Sequence, residues 1–413
     1  MRVTTAFNHL LDLQGVWVRH VAFGPRTVVV TVALRRRRLL CPRCDHATEH
    51  RYDTRSVPSA WRSLDLGPWR VMIRSGLRRL RCPTHGVLPE GVPLARSGSG
   101  FTRDFEDLVA FMAAKTDRTA VGRLLRVAWR TVGAICARVV HDELDPDRPE
   151  DLFEIGIDEV SWRRRHHHIT VVADHGTGRV VWAAQGKGLG TAWRFFDELG
   201  ARAEHLRALS MDLGPAYQEA VRRRAPGATV CFDPFHVVAL ATRALDEVRR
   251  SAWRRIRAVS PSLARVFRGW RWALLKNPEN LTASQARTLE AVRADGGALW
   301  EAYLLKESLR SVFAGDLSGE EARGLLESWC ERAEASNLSP FRKLASSLRW
   351  HLEGIVASVR LGLTNARTEA LNTKVRLITR RAYGFHSAAA VIALMMLVCG
   401  PVTLRLPHER RAS

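Results

Sequence analysis

No run of 18 apolar residues occurs anywhere in the 413-residue chain, and a membrane-spanning helix needs roughly 17 to 25. The best candidate, 388–400, is short, is stopped by Pro401 and reads as a buried helix. The opening Met1-Arg-Val-Thr-Thr-Ala-Phe has no long apolar region, so no secretory leader is expected. Cysteine is sparse and odd in number, seven with one close-spaced cluster, which fits a reducing compartment and a metal site better than a disulfide framework. No internal repeat or low-complexity tract is evident. Acid is in deficit: 42 Asp and Glu stand against 64 Lys and Arg, nearly all of them arginine, for a net charge of +22 and a sequence pI of about 11.0. Such a field draws in polyanions, and the arginine fork suits bidentate phosphate contact, although codon bias also favours arginine. These absences place the chain in the cytoplasm, associated with the nucleoid and with no membrane. Its 46% hydrophobic content excludes a disordered basic tail and suits two to four folded domains.

The pattern along the chain changes several times. Residues 1–35 form an N-terminal β-hairpin region, with apolar and polar positions alternating over 15–23 and 27–34 around Gly24-Pro25. Arg35-Arg36-Arg37-Arg38 leads into Cys41-Pro-Arg-Cys44, and a second half, Cys82-Pro-Thr-His85, closes a β-rich zinc ribbon over 36–95. Helical periodicity begins near Phe101, and three short helices with tight connections over 100–143 suit a helix-turn-helix DNA-binding domain. A proline-rich acidic linker, 145–151, follows. Three strand signals, a helix and two further strand signals then fill 151–240, the opening order of a ribonuclease-H-like mixed sheet. The all-α text of 241–352 is an expected insertion domain, and 353–413 supplies the C-terminal helices of the core. The expected fold class is multidomain α/β.

Three constellations carry chemistry. Cys41, Cys44, Cys82 and His85 form two close pairs at β-turns, the spacing of a structural tetrahedral Zn²⁺ site. Asp158 on a strand, Asp212 just beyond a strand and Glu369 in a helical stretch are placed as a ribonuclease-H-like core places the oxygen ligands of two divalent cations. Asn365, Glu369, Asn372 and Arg376 recur at spacings of four, three and four, so they share one helix face, either a wet face or the site side. The third constellation is basic. Arg163-Arg164-Arg-His-His-His168 falls at a hairpin, where it either meets DNA backbone or is a solvated tip, and histidines alternating along a strand do not converge on one ion. In the expected recognition helix, Trp129, Arg130, Thr131 and Arg138 are the exposed candidates for DNA contact. Arg254 and Arg255 are the corresponding candidates in the insertion.

Gly156-Ile-Asp158-Glu-Val-Ser, Met211-Asp212 followed by Tyr217, Asp233-Pro-Phe-His236-Val, and Asn365-x3-Glu369-Ala-x-Asn372-x-Lys374 ending in Tyr383-Gly-Phe385 resemble the transposases of the ISL-three class of bacterial insertion sequences. The resemblance covers almost the whole chain. It implies that Asp158, Asp212 and Glu369 are the catalytic triad holding two Mg²⁺ (or Mn²⁺), and that Asn365, Asn372 and Lys374 are accessory residues near the site. Asp233 and His236 either orient a metal-bound water, contact the scissile phosphate, or form an Asp-Pro turn with a packed histidine. Many members of the class have cysteine where His85 stands, and Zn²⁺ accepts either. The implied partners are double-stranded DNA, as terminal inverted repeats and as target, and a second copy in a homodimer or larger assembly on DNA. The implied activity is metal-dependent cleavage and strand transfer. A non-catalytic DNA-binding regulator and a structure-specific nuclease of the same fold are the alternatives.

Overall fold

Alternation in the first 35 residues becomes two strands, and their apolar face decides what they pair with. A computed structural model describes residues 1–145, 150–163, 167–363, 366–382 and 385–410, with backbone alone at 366–369 and 410. The chain divides into two units, 1–145 with 378–413 and 146–377.

The first unit opens with helix α1 (Val3–Leu11), which the alternation pattern did not announce, followed by β1 (Val16–Phe23) and β2 (Thr27–Leu34). Short strands β3 (Leu39–Leu40), β4 (Ala47–Thr48) and β5 (Asp53–Thr54) precede β6 (Ser59–Arg62), β7 (Arg70–Ser75), β8 (Arg78–Cys82) and β9 (Gly86–Pro89). One sheet runs β1-β2-β7-β6, with β2 and β7 parallel. Residues on both sides of position 35 therefore share a sheet, and no boundary falls between the hairpin and the segment that carries the cysteines. The reason is burial: Val28, Val30, Val71 and Ile73 point to one face and close on Phe7, Leu11 and Trp61. The smaller sheets β3-β4 and β5-β8-β9 enclose a separate cluster of Leu39, Cys41, Leu80 and Cys82. Helices α2 (Arg103–Lys115), α3 (Arg118–Leu125) and α4 (Trp129–Glu143) follow; Thr102 caps α2 and Asp117 caps α3, each accepting from backbone N–H groups of the first turn.

The second unit is built on the order β12-β11-β10-β13-β14, where β10 is Glu154–Arg163, β11 His167–Asp174, β12 Val180–Gln185, β13 Ala208–Met211 and β14 Thr229–Phe232. Its first two pairings are antiparallel and its last two parallel. Helix α5 (Leu189–Leu199) connects β12 towards β13, and α6 (Pro215–Arg224) connects β13 to β14, the crossover that parallel strands require. After β14 the chain is helical: α7 (Pro234–Val259), α8 (Pro261–Gly269), α9 (Arg271–Leu275), α10 (Ala283–Asp295), α11 (Gly297–Val312), α12 (Gly319–Ala335), α13 (Ser339–Trp350) and α14 (Leu352–Leu361). Val237, Ala241, Ala244, Leu245 and Val248 make the buried stripe of α7. That stripe, the helices around Trp329 and the sheet residues Leu209 and Met211 belong to one continuous core, so the helical segment is packed as part of this unit and has no core of its own. Gly354 lets α14 lie directly on β14: a Cβ there would stand 2.5 Å from the Phe232 ring, and the contact covers an otherwise open sheet edge.

The division between the units falls inside α15 (Ala366–Arg381). Helix α16 (Ala388–Cys399), followed by α17 (Pro407–Arg410), lies in the first unit and packs on α4 and α2. The expectation that all of 353–413 joins the strand core is thus corrected from residue 378 onward. Arg118 fixes this packing, donating to the Ala390 carbonyl at 3.3 Å.

Candidate active site

Strand register brings the acidic residues together. In the parallel pair β10–β13, Glu154 faces Ala208 and Gly156 faces Ser210. Two residues further along, the same register sets Asp158 level with Asp212. In β13–β14, Ala208 faces Thr229 and Met211 faces Phe232, so Asp212 is level with Asp233. Three aspartates therefore form a row across adjacent strands about 4.8 Å apart, Asp158 within β10 and Asp212 and Asp233 just beyond the carboxyl ends of β13 and β14, where ligands of an α/β sheet gather.

Each acid has a different environment. Asp158 accepts from the Glu159 backbone N–H at 2.6 Å and from Asn372 Nδ2, on α15, at 2.5 Å. Burial, with Asp212 nearby, pushes its carboxyl up to about 6. Asp212 is half exposed, its side chain 44% accessible, and pairs with His236 Nδ1 at 2.8 Å. Asp233 is buried, caps α7 and pairs with the same nitrogen at 2.9 Å. Burial works against a charge on His236, but the two carboxylates outweigh it and raise the imidazole to about 10, so the ring is cationic at neutral pH.

These residues suit a hard cation. The donors are oxygens, as Mg²⁺ and Mn²⁺ require. Asp158 and Asp212 repel one another, and among the described residues the buried Asn372 Oδ1 has no hydrogen-bond donor. Glu369 lies on α15 three residues before Asn372, and its side chain is outside the described residues.

A second cluster lies in the first unit. Cys41, Cys44, Cys82 and His85 bring their ligand atoms within 4.8 Å of one another. The separations are 3.6 Å for Cys44 to Cys82, 3.5 Å for Cys82 to His85 and 3.7 Å for Cys41 to His85. Ligands about 2.3 Å from a tetrahedral zinc stand at about these spacings. Desolvation raises the Cys82 thiol, but hydrogen bonds from the His85 and Thr84 backbone and the His85 ring outweigh it and pull it down to about 6, towards the thiolate a metal needs.

Helices α3 and α4 meet across a three-residue turn. Arg126 sits there at φ 53°, and Arg62 donates to the Leu125 and Arg126 carbonyls at 2.8 Å each. Gly122 is required by this turn, since a Cβ would stand 2.8 Å from the Val127 carbonyl.

Comparison with known proteins identifies the family. A family model described as "Transposase", of the DDE type and ISL3 class, matches residues 155–395, and the "Helix-turn-helix domain of transposase family ISL3" matches 90–140. The chain belongs to the ISL3 family of transposases. It is 43% identical over 379 residues to the transposase for insertion sequence element IS1557 of Mycobacterium tuberculosis, covering 86% of this chain and 85% of that one. It is 29% identical over 354 residues to the transposase for element IS1001 of Bordetella parapertussis, covering 84% and 86%. A solved Drosophila P element transposase strand transfer complex overlaps 73% of this chain and 93% of that one at 10% identity with a TM-score of 0.35, too distant to carry an argument.

In this family member the structure gathers Asp158, Asp212, Asp233, His236 and Asn372, whereas Lys374 is exposed and makes no ion pair among the described residues. Asn365, Arg164 and Tyr383 lie outside the described residues. In α4, Arg130 is exposed and Trp129 stacks on His386 at 4.6 Å; Thr131 is half-buried. Arg138, expected to be exposed, is half-buried and pairs with the buried Glu106 at 2.7 Å. Arg163 and Arg255 are exposed, and Arg254 lines a cleft described below. Sequence reasoning quoted Tyr217 in a motif but gave it no role; its hydroxyl donates to Glu159 at 2.9 Å beside Asp158 and lies 3.0 Å from the Thr170 hydroxyl. Sequence reasoning missed the buried His175–Ser210 pair, 2.7 Å apart behind the row. Tyr217 had a signal in its place after Asp212; His175 had none.

Proposed function

We propose that the chain is the transposase of a bacterial insertion sequence, binding terminal inverted repeats through its first unit and cutting and joining DNA at the carboxylate row. The observation that carries this reading is the shared register of Asp158 and Asp212 on adjacent parallel strands, with Asn372 bringing α15 onto Asp158. The mixed sheet, built from three strands, α5, β13, α6 and β14 in chain order, supports a ribonuclease-H-like core. Asp158, Asp212 and Glu369 are the residues that hold the catalytic metal. Two Mg²⁺ (or Mn²⁺) ions would supply the acidity that activates water and the positive charge that offsets the leaving 3′ oxygen.

The chain's own groups divide the remaining tasks. Asn372 fixes the Asp158 carboxylate by donating to Oδ2, leaving Oδ1 to the Glu159 N–H and to the site. Asp233, buried, holds the His236 ring at the mouth of the row, where its protonated Nδ1 is positioned against anionic oxygen. Tyr217 anchors Glu159 so that the acid next to Asp158 turns away from it. In the first unit, Cys41, Cys44, Cys82 and His85 hold Zn²⁺ as a structural element, and Trp129, Arg130 and Thr131 at the start of α4 face DNA. Because each active site serves one end of the element, pairing two ends requires a dimer or larger assembly on DNA.

The test is incubation of purified protein with labelled DNA carrying the element's ends, with and without Mg²⁺, beside Glu369→Gln. Metal-dependent 3′ cleavage and joining that vanish in the variant are expected. Cleavage without joined products would make the protein a nuclease, and tight binding without cleavage a regulator.

A further inference from the structure

Helix α7 starts at the carboxylate row and carries, at its far end, a cleft that the row does not explain. The cleft encloses about 930 Å³. Arg250, Arg254 and Arg257 line it from α7 at spacings of four and three, hence on one face, and Arg268 of α8 and Arg271 of α9 line it opposite. All five are exposed, and Glu247 is the one acid in the lining. Arg250 pairs with Asp246 at 3.2 Å. Among the described residues Arg254, Arg257, Arg268 and Arg271 make no ion pair.

In the same unit Arg323 pairs with Glu353, Arg349 with Glu334 and Arg222 with Glu219, while Arg255 and Arg287 also make no ion pair among the described residues; what sets the four apart is that they surround one cleft. Like charges one turn apart on a helix cost stability, so four unneutralised guanidinium groups around one cleft call for an anion with several charges. Two of them are also preorganised, Arg257 lying over Trp253 at 5.1 Å and Arg271 over Trp272 at 4.9 Å. Trp253 in turn donates to the Ala264 carbonyl at 3.0 Å, tying α7 to α8 across the cleft floor.

Position supplies the register. Arg250 and Arg257 follow His236 by 14 and 21 residues on one unbroken helix, and a rise of about 1.5 Å per residue puts them about 21 to 32 Å away. A duplex rises about 3.4 Å per base pair, so that span equals roughly six to nine base pairs. We propose that this cleft grips the sugar-phosphate backbone of one strand of the DNA whose scissile bond lies at the carboxylate row, six to nine base pairs from the cut. The inference rests on the transposase reading and names a DNA contact additional to the helix-turn-helix.

The test measures binding of the full-length protein to fluorescent duplexes from its element's ends, between about 50 and 200 mM salt, for wild type and for Arg254→Ala/Arg257→Ala/Arg268→Ala/Arg271→Ala. One duplex extends twelve base pairs past the cleavage point on each side, the other three. On the long duplex the variant is expected to bind roughly tenfold to a hundredfold more weakly, with a salt slope shallower by about three to four, since each phosphate contact contributes about 0.9. On the short duplex the two proteins should match. The corresponding four-lysine variant, which keeps charge but loses the planar fork, should keep most of the slope, and Arg287→Ala on α10 should change nothing. A variant that melts at the wild-type temperature and binds the long duplex like wild type overturns the proposal, as does an equal loss on both duplexes. Wild-type cleavage of the same ends is scored in parallel: its absence counts against the transposase reading, its presence with an unchanged slope against the cleft alone.

Discussion

At the scale of single residues, the site stores unfavourable electrostatics in the metal-free protein. Asp158 is held up at about 6 by burial and by Asp212. Its folded-state value lies above the unfolded one, near 3.9, so its charge costs stability at pH 7, and that cost disappears as pH falls through about 6 towards 4. Asp158→Asn is therefore expected to match or exceed the wild type in stability at pH 7 with EDTA present, by up to about 3 kcal/mol, while abolishing metal-dependent cleavage. Thermal unfolding checks the first half; a marked loss of stability would mean that the carboxylate is stabilising where it stands. Metal must displace a proton from Asp158 below that pH, so the apparent Mn²⁺ affinity should weaken between pH 7 and 5, and calorimetric titration at the two values measures it. His236 behaves in the opposite sense. Its imidazolium is held by Asp212 and Asp233, and its stabilising contribution is fully present below about 6.5 and lost only as pH rises through about 10. The residue types of this site were legible in the sequence, because Asp158, Asp212, Asp233 and His236 stand in short motifs next to strand signals. The register that makes three aspartates level was not, because pairing offsets between distant strands leave no local trace.

At the scale of elements, two small pieces of the first unit depend on a few contacts each. The metal cluster sits on a core of Leu39, Cys41, Leu80 and Cys82 with Leu88 against it, too little to hold five short strands by hydrophobic burial alone. Removing zinc by chelation, or Cys82→Ser, should expose the remaining thiols to a thiol reagent and lower the metal content to near zero, whereas α2 to α4 keep their helical signal. Thiols that stay protected after chelation would show that the strands hold without metal. The turn between α3 and α4 depends on Gly122, and Gly122→Ala should cost about 1–3 kcal/mol by forcing the Val127 carbonyl away. The expected readout is loss of specific end binding with zinc content unchanged. Strands were readable where their signal was strong, as in 153–160 and 167–174, which the structure places at Glu154–Arg163 and His167–Asp174. Helix α16 shows where reading stops. It is apolar nearly all round, so its sequence says that it is buried without saying against what, and its partners proved to be α4 and α2. Arg138 shows the same limit for charge: an arginine on a helix looks available until the buried Glu106 beneath it is known.

At the scale of the whole molecule, a net charge of +22 sets a large sequence-independent affinity for DNA. Specific recognition should therefore emerge only as salt rises, and competition between end DNA and random duplex is expected to favour the ends more at 200 mM than at 50 mM. A preference that does not change with salt would locate specificity outside the phosphate contacts. No helix among the described residues is long and apolar enough to cross a membrane. The central claim is that Asp158, Asp212 and Glu369 hold the catalytic cations while Asp233 serves His236. The measurement that tests it most directly is Mn²⁺ titration of the wild type and of Asp158→Asn, Asp212→Asn, Glu369→Gln and Asp233→Asn, followed calorimetrically. The account predicts that the first three substitutions each abolish or weaken binding by at least about tenfold and that Asp233→Asn retains it. Wild-type binding by Glu369→Gln, with loss in Asp233→Asn, would contradict it and assign the metal to the three aspartates of the strand row.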